Sequence, residues 1–157
     1  MNLVDLETLL KRFTAFTAQS FEQPEVPPRP FSADELAAAM KTLESKALRS
    51  FLSAPVFAQG PEVYVEDIGY YTPTTPEEVL AANENLANAR SSYQQFQHLQ
   101  PCFVLSHSGD RFIAVTSDEQ VVTIDSNDGE VTETGLELGA FLELVHTGLA
   151  REVAAIS

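Results

Sequence analysis

An α+β fold is predicted: a central antiparallel meander sheet of about four to six strands, flanked by helices, with an extra helix at the N-terminus. Three observations predict it. Short apolar runs separated by polar turns fill residues 102 to 134, too closely spaced for the helical crossovers that parallel strands need. Four longer segments carry apolar residues at helical period, and two of these open on capping signatures. Finally, 44% of the 157 residues are apolar, enough for one core in a chain near the commonest size of a single domain. Residues 1–157 therefore read as one domain, with an N-terminal extension made of a helix at 1–20 and a proline-rich linker at 22–31.

The first helix rests on Leu3, Leu6, Leu10, Phe13 and Phe16, spaced three or four apart, and this stripe needs something to lie on. In the linker, Pro24, Pro27, Pro28 and Pro30 fix φ repeatedly and remove donors, which predicts an extended polyproline-type connector separating the helix from the body. A ligand for an aromatic groove is the other reading of such a stretch; a stiff connector is its commoner use.

Phe31, Ser32, Glu35 and Leu36 make a capping box with a hydrophobic staple. The helix they open carries Leu36, Met40, Leu43, Ala47 and Phe51 on one face, with Asp34 and Glu35 in its first turn, and is predicted to run to about Leu52. Val63 to Ile68, between Gly60-Pro61 and Gly69, reads as one strand rich in β-formers. Thr75-Pro76-Glu77-Glu78 caps a third helix, with Val79, Leu86 and Tyr93 a heptad apart and Ala82, Ala89 and Phe96 three residues after each, ending before Pro101. Such a stripe suits a core face more often than a dimer seam. Phe103–Leu105, Phe112–Thr116, Val121–Ile124 and Glu130–Thr134 are the meander strands. Residues Thr134 to Glu137 then open a last helix carrying Leu138, Phe141, Leu142, Val145 and Leu149.

Charge is distributed unevenly. The net charge is -14, and residues 50 to 157 hold sixteen Asp and Glu against Arg90, Arg111 and Arg151, so about -13 of it sits there. That field repels nucleic acid and lipid headgroups and attracts a basic macromolecule. Periodic Phe, Tyr, Val, Ile and Leu in the same stretch predict that it is folded. No apolar run is long enough to cross a bilayer, and the N-terminus has no basic start before an apolar stretch. Cys102 is alone, so a reducing compartment such as the cytoplasm is the simplest home.

Catalytic and cofactor readings find little support, and the expectation is a chain that is not an enzyme and binds no cofactor or metal. His98, Cys102, His107 and His146 match no zinc spacing. Asp125 to Gly129 resembles a calcium loop, but its Gly is fifth where the sixth is needed, and Leu136 stands where the bidentate Glu belongs. Ser106-His107-Ser108-Gly109-Asp110 holds nucleophile, base and acid types, yet strand neighbours point apart and there is no nucleophile elbow. No phosphate loop is present. Cys102, beside an apolar strand, reads as buried and inert.

In the C-terminal part, Gly109-Asp110, Val121-Val122-Thr123-Ile124, Gly129-Glu130-Val131 and Leu138 to Leu144, preceded by Tyr70-Tyr71, Glu78-Val79-Leu80 and Asn83-Glu84-Asn85, resemble in order the SUKH superfamily of bacterial immunity proteins and fungal cell-wall regulators. The likeness covers roughly the last 90 residues. The family's Leu-Pro-aromatic and later Asn-Gly have no equivalent in residues 32 to 60, and its frequent tryptophan is absent. The resemblance implies a domain that binds and neutralises a toxin, often a nuclease, by occluding its surface.

Charge leads to the same class of partner, because a nuclease exposes a basic groove that an acidic domain can occupy. The partner-binding candidates are the turn carboxylates Asp110, Asp118, Glu119, Asp125, Asp128 and Glu130 and the aromatics Tyr64, Tyr70 and Tyr71. Turn geometry alone also favours such carboxylates, and half-buried tyrosines are common at strand ends. Two other classes stay open. One is an acidic homodimeric secretion chaperone or adaptor, and the other an unrecognised enzyme with a deep polar pocket near His107 or His146.

Overall fold

The computed structural model describes residues 3–60 and 62–156; Met1, Asn2, Ser157 and the Pro61 that bounds the predicted strand lie outside the described residues. Along the chain run α1 (Leu3–Ser20), α2 (Ala33–Thr42), α3 (Lys46–Leu52), β1 (Val63–Val65), β2 (Gly69–Tyr71), α4 (Pro76–Ser92), a 3-10 turn at Gln94–Phe96, β3 (Cys102–Ser108), β4 (Arg111–Thr116), β5 (Gln120–Asp125), β6 (Val131–Glu137) and α5 (Leu138–Ala155).

The turn-separated runs form the predicted meander, a four-stranded antiparallel sheet in the order β3-β4-β5-β6. Strand alternation divides its side chains. Phe103, Leu105, Ile113, Val115 and Val121 face a core shared with α1, α3, α5 and the β1–β2 hairpin. Cys102, Val104, Phe112, Ala114, Val122 and Ile124 face a smaller core under α4 and the 3-10 turn. The sheet is thus the middle layer of three, and the fold is α+β as the periodicities predict.

Four boundaries differ from the sequence expectation, each for a physical reason. The helix expected to reach Leu52 breaks at Leu43, whose backbone is extended, and restarts behind Ser45, whose Oγ accepts from Leu48 N. The strand expected over Val63–Ile68 is a hairpin, because Asp67 adopts a left-handed φ of 67° and reverses the chain. The third helix stops at Ser92; Tyr93 is extended and exposed, and Phe96 reaches the core from the 3-10 turn. Residues Thr134 to Glu137 belong to β6, so α5 begins directly at Leu138.

The first helix is not held away from the body. Leu6, Leu10 and Phe13 are buried in the main core against α5, whereas Phe16 is 41% exposed. A residual void of about 10 Å³ between Leu10, Phe51, Tyr71 and Leu149 sits at the lower limit for a single water, so this contact is closely filled. The linker remains exposed through Pro27, then is pinned where Arg29 pairs with Phe57 and Phe31 N donates to Leu52 O at 2.9 Å.

Arg29 also bridges two helix starts. Its guanidinium donates to both carboxylate oxygens of Glu35, at 2.7 and 3.0 Å, and to Glu77. Its own pKa is raised by those bonds. The Arg29 contact, aided by Ser32 N, holds the Glu35 carboxyl at about 2, below its ordinary 4.5. A depressed carboxylate stabilises the fold above its unfolded value and loses that contribution as pH falls through the folded one. Wild type is therefore expected to lose on the order of 1–2 kcal/mol from this group between about pH 4.5 and about pH 2. Glu35→Gln should be less stable at neutral pH and show a shallower acid decline, read from urea midpoints across that window.

The β3 edge of the sheet is sealed. Asn83 on α4 accepts from Val104 N at 2.7 Å and donates to Val104 O at 2.9 Å, so one side-chain amide takes the place of a neighbouring strand. Ser106 Oγ likewise exchanges bonds with the Thr72 backbone. Asn83→Ala leaves both Val104 groups without these partners and should cost about 2 kcal/mol. The exposed Asn85→Ala on the same helix should stay within about 0.5 kcal/mol of wild type in the same denaturation.

Candidate functional site

The predicted partner-binding residues divide among three places. Tyr64 and Tyr70 stand directly across from each other on β1 and β2, 47% and 57% exposed, with ring centroids 5.8 Å apart in an edge-on pair. Tyr71, the next residue, points the other way. It is 7% exposed, its ring lies edge-on to Phe141 at 5.9 Å, and burial pushes its hydroxyl up to about 12. Tyr71 is core, and the expectation that it presents a surface is corrected by strand alternation itself.

Asp110, Asp125, Asp128 and Glu130 gather at one end of the sheet, where the β3–β4 and β5–β6 turns meet and Ser126 N donates to Asp110 O at 2.7 Å. Two of these carboxylates also build the turn. Asp125 Oδ1 accepts from Asn127 N at 2.8 Å and Asp128 N at 3.1 Å, which lowers its pKa, and Asp128 Oδ1 accepts from Glu130 N at 2.8 Å. Gly129, at φ 74°, closes the turn against the 3-10 segment; a Cβ there would sit 2.6 Å from Gln95 O.

Asp118 and Glu119 lie at the opposite end, in the β4–β5 turn, and so cannot share a surface with the other four. Glu119 holds the fold together. Its Oε1 accepts from Ser45 Oγ at 3.1 Å and from Ala47 N at 3.4 Å, and its carbonyl accepts from Leu138 N at 3.0 Å. One left-handed residue thereby ties the starts of α3 and α5 to the sheet.

Between the hairpin and the β3–β4 turn lies an open cleft of about 330 Å³. Ile68, Ile113 and Thr123 line it, Tyr70 stands beside them, and Glu62, Asp110 and Arg111 are at its polar margin. Ser108 Oγ donates to Glu62 Oε1 at 3.2 Å and pairs with Thr72 Oγ1 at 2.8 Å, which fixes that margin. Arg111 stands across from Asp125 in the strand register and contributes to lowering its pKa. An apolar floor, one aromatic and two carboxylates suit the stem and head of a lysine or arginine side chain, the charge of Arg111 at the same margin being set against Asp125. Sequence reasoning passed over Glu62 and Ile68; the signal available was Asp67-Ile68-Gly69, a turn triplet inside the supposed strand.

A shallower groove of about 270 Å³ runs beside His107, bordered by Thr74, Glu78, Asn85 and Ser106. Several of its polar groups are engaged locally: Thr74 donates to Thr75 O, Glu78 N donates to Thr75 Oγ1, which in turn donates to Glu78 Oε1, and Ser106 Oγ donates to Thr72 O. The His107 ring stacks on Phe112 at 4.1 Å, and burial lowers its pKa. Cys102 is buried and its thiol is pushed up by burial, so alkylation should be slow in the native protein and accelerate with unfolding. Among the described residues no group of three or more His, Cys, Asp or Glu is placed to hold a metal, and no helix is long and apolar enough to cross a membrane. No family model, curated protein or solved structure matches the chain, so this surface itself carries the functional reading.

Proposed function

We propose that this chain is a protein-binding module for a basic protein partner, acting as an immunity protein of the SUKH type that occludes a nuclease-like toxin. The observation that carries the reading is the exposed Tyr64–Tyr70 pair beside a cleft margined by Glu62 and Asp110. Aromatic anchors supply binding energy, and the surrounding carboxylates speed association and select for positive charge. Glu66 and Asp67, exposed in the hairpin turn, extend the acidic field around the tyrosines. The homodimeric chaperone reading needs a seam on the long helix or a sheet edge; Val79, Ala82 and Leu86 of α4 lie against the core, which leaves a sheet edge as the seam for that reading.

The test is calorimetric titration with a basic nuclease domain, taken from the adjacent coding region where that region encodes one. The double variant Tyr64→Ala/Tyr70→Ala should bind about 30-fold more weakly, or ~2 kcal/mol. Glu62→Gln with Asp110→Asn should slow association and flatten its salt dependence, while Asp118→Asn at the far end should change neither. Unaltered affinity in the tyrosine double variant removes the hairpin from the interface.

A further inference from the structure

We propose that the open edge of β6 is a second docking element, which takes an extended, lysine- or arginine-bearing segment of a protein partner as a fifth strand of the sheet. The inference rests on the binding reading above and names the mode in which part of such a partner is held.

The two edges of the sheet are treated differently. At β3 the amide of Asn83 occupies both outward backbone groups of Val104, and the Ser106 side chain bonds the Thr72 backbone alongside. At β6 the strand pairs with β5 alone, and among the described residues no side-chain amide is bonded along its outer side as Asn83 is along β3. Val131, Thr132, Glu133, Gly135 and Glu137 are exposed. An unpaired strand edge is a template for main-chain hydrogen bonding to another segment.

Charge decides the occupant. From Ser117 through Glu137, the turns and strands of this edge hold seven carboxylates and no lysine or arginine. A second copy pairing antiparallel would set carboxylate against carboxylate, which is unfavourable across strands, whereas a basic segment meets complementary charge. The register narrows the choice further. Val131 lies opposite Ile124 and Glu133 opposite Val122, on one face; Thr132 lies opposite Thr123, on the other. Past Glu133 the register shifts, with Gly135 at φ 73° and Thr134 Oγ1 donating to Val121 O at 2.6 Å. The incoming strand therefore pairs ahead of this bulge, with a basic residue opposite Glu133 and an apolar one two positions away, opposite Val131.

A capped synthetic peptide alternating threonine with lysine and valine in turn is the probe, compared with the same peptide N-methylated along one edge. At low salt the first should shift the Val131 and Glu133 amide resonances, the two that alternate outward from the Thr123–Thr132 pair, and slow their hydrogen exchange about tenfold, and the methylated one should do neither. Glu133→Gln should weaken binding about threefold, and Glu133→Lys more. Equal binding of both peptides, with shifts confined to Tyr64 and Tyr70, overturns strand addition and leaves the basic-partner reading standing. Binding of neither peptide, or a dimer seated on β6 in sedimentation and exchange measurements, also overturns it; in that case the carboxylates act only as guards against edge-to-edge aggregation. The reading itself fails separately, if the basic nuclease domain does not bind.

Discussion

A chain lacking α1 is expected to lose its cooperative fold. Leu6, Leu10 and Phe13 are each at most 5% exposed, and burying three such side chains contributes about 5–9 kcal/mol. That is comparable with the whole stability of an ordinary domain, about 5–15 kcal/mol. Removing the helix also strips cover from the core side of α5, including Leu142, Val145 and Leu149. The truncated protein should give a broad, weak thermal transition by circular dichroism and bind a hydrophobic dye. The gentler Leu10→Ala should cost about 2–5 kcal/mol while keeping a sharp transition. A truncated chain that melts as sharply and nearly as high as wild type would show that α1 is an appendage after all.

Gly148→Ala is expected to be strongly destabilising even though it raises helix propensity. Alanine favours a helix interior over glycine by about 1 kcal/mol. Against that, a Cβ at position 148 would collide with Tyr64 O and stand 3.0 Å from Val63 Cγ1. The nearer obstacle is backbone, so α5 or β1 must move, and overpacking of this kind costs typically 1–3 kcal/mol and sometimes more. A net loss of about 2 kcal/mol should appear in the urea midpoint. The internal control is Gly139→Ala on the same helix, where a Cβ meets nothing within 4 Å. That variant should be neutral or more stable by up to about 1 kcal/mol. Similar effects at both sites would mean that the close approach of α5 to β1 does not exist. Because Tyr64 supplies the obstructing carbonyl, Gly148→Ala should also disturb the exposed tyrosine pair and weaken partner binding.

The meander and the last helix were legible because short continuous apolar runs and a period-3.6 stripe are written there in adjacent residues, and because Gly109, Gly129 and their polar neighbours punctuate them. Ser32-x-x-Glu35 and Thr75-x-x-Glu78 marked two helix starts for the same reason: a cap is a local device, written in adjacent residues. What was hidden depends on distant parts of the chain. Nothing near Leu43 announces a helix break; Ser45 caps α3 there while Glu119, far along the sequence, accepts its hydroxyl proton. Glu119 was read as an interface carboxylate because nothing local shows that its side chain reaches back to Ser45 and Ala47, although a meander already sends alternate turns to opposite ends of the sheet. Tyr70 and Tyr71 were grouped for the same kind of reason, since only the hairpin, missed at Asp67, fixes which ring turns outward.

The docking of α1 on α5 places the earliest and latest helices described along this chain against one another. During synthesis the apolar stripe of α1 emerges ahead of α5 and waits while more than a hundred further residues are made. Closing that long loop carries an entropic cost that grows only slowly with its length, but the delay is set by the ribosome. The core facing α5 can therefore close only once α5 leaves the exit tunnel, and until then Leu6, Leu10 and Phe13 offer a sticky ribbon to any chaperone at the tunnel mouth.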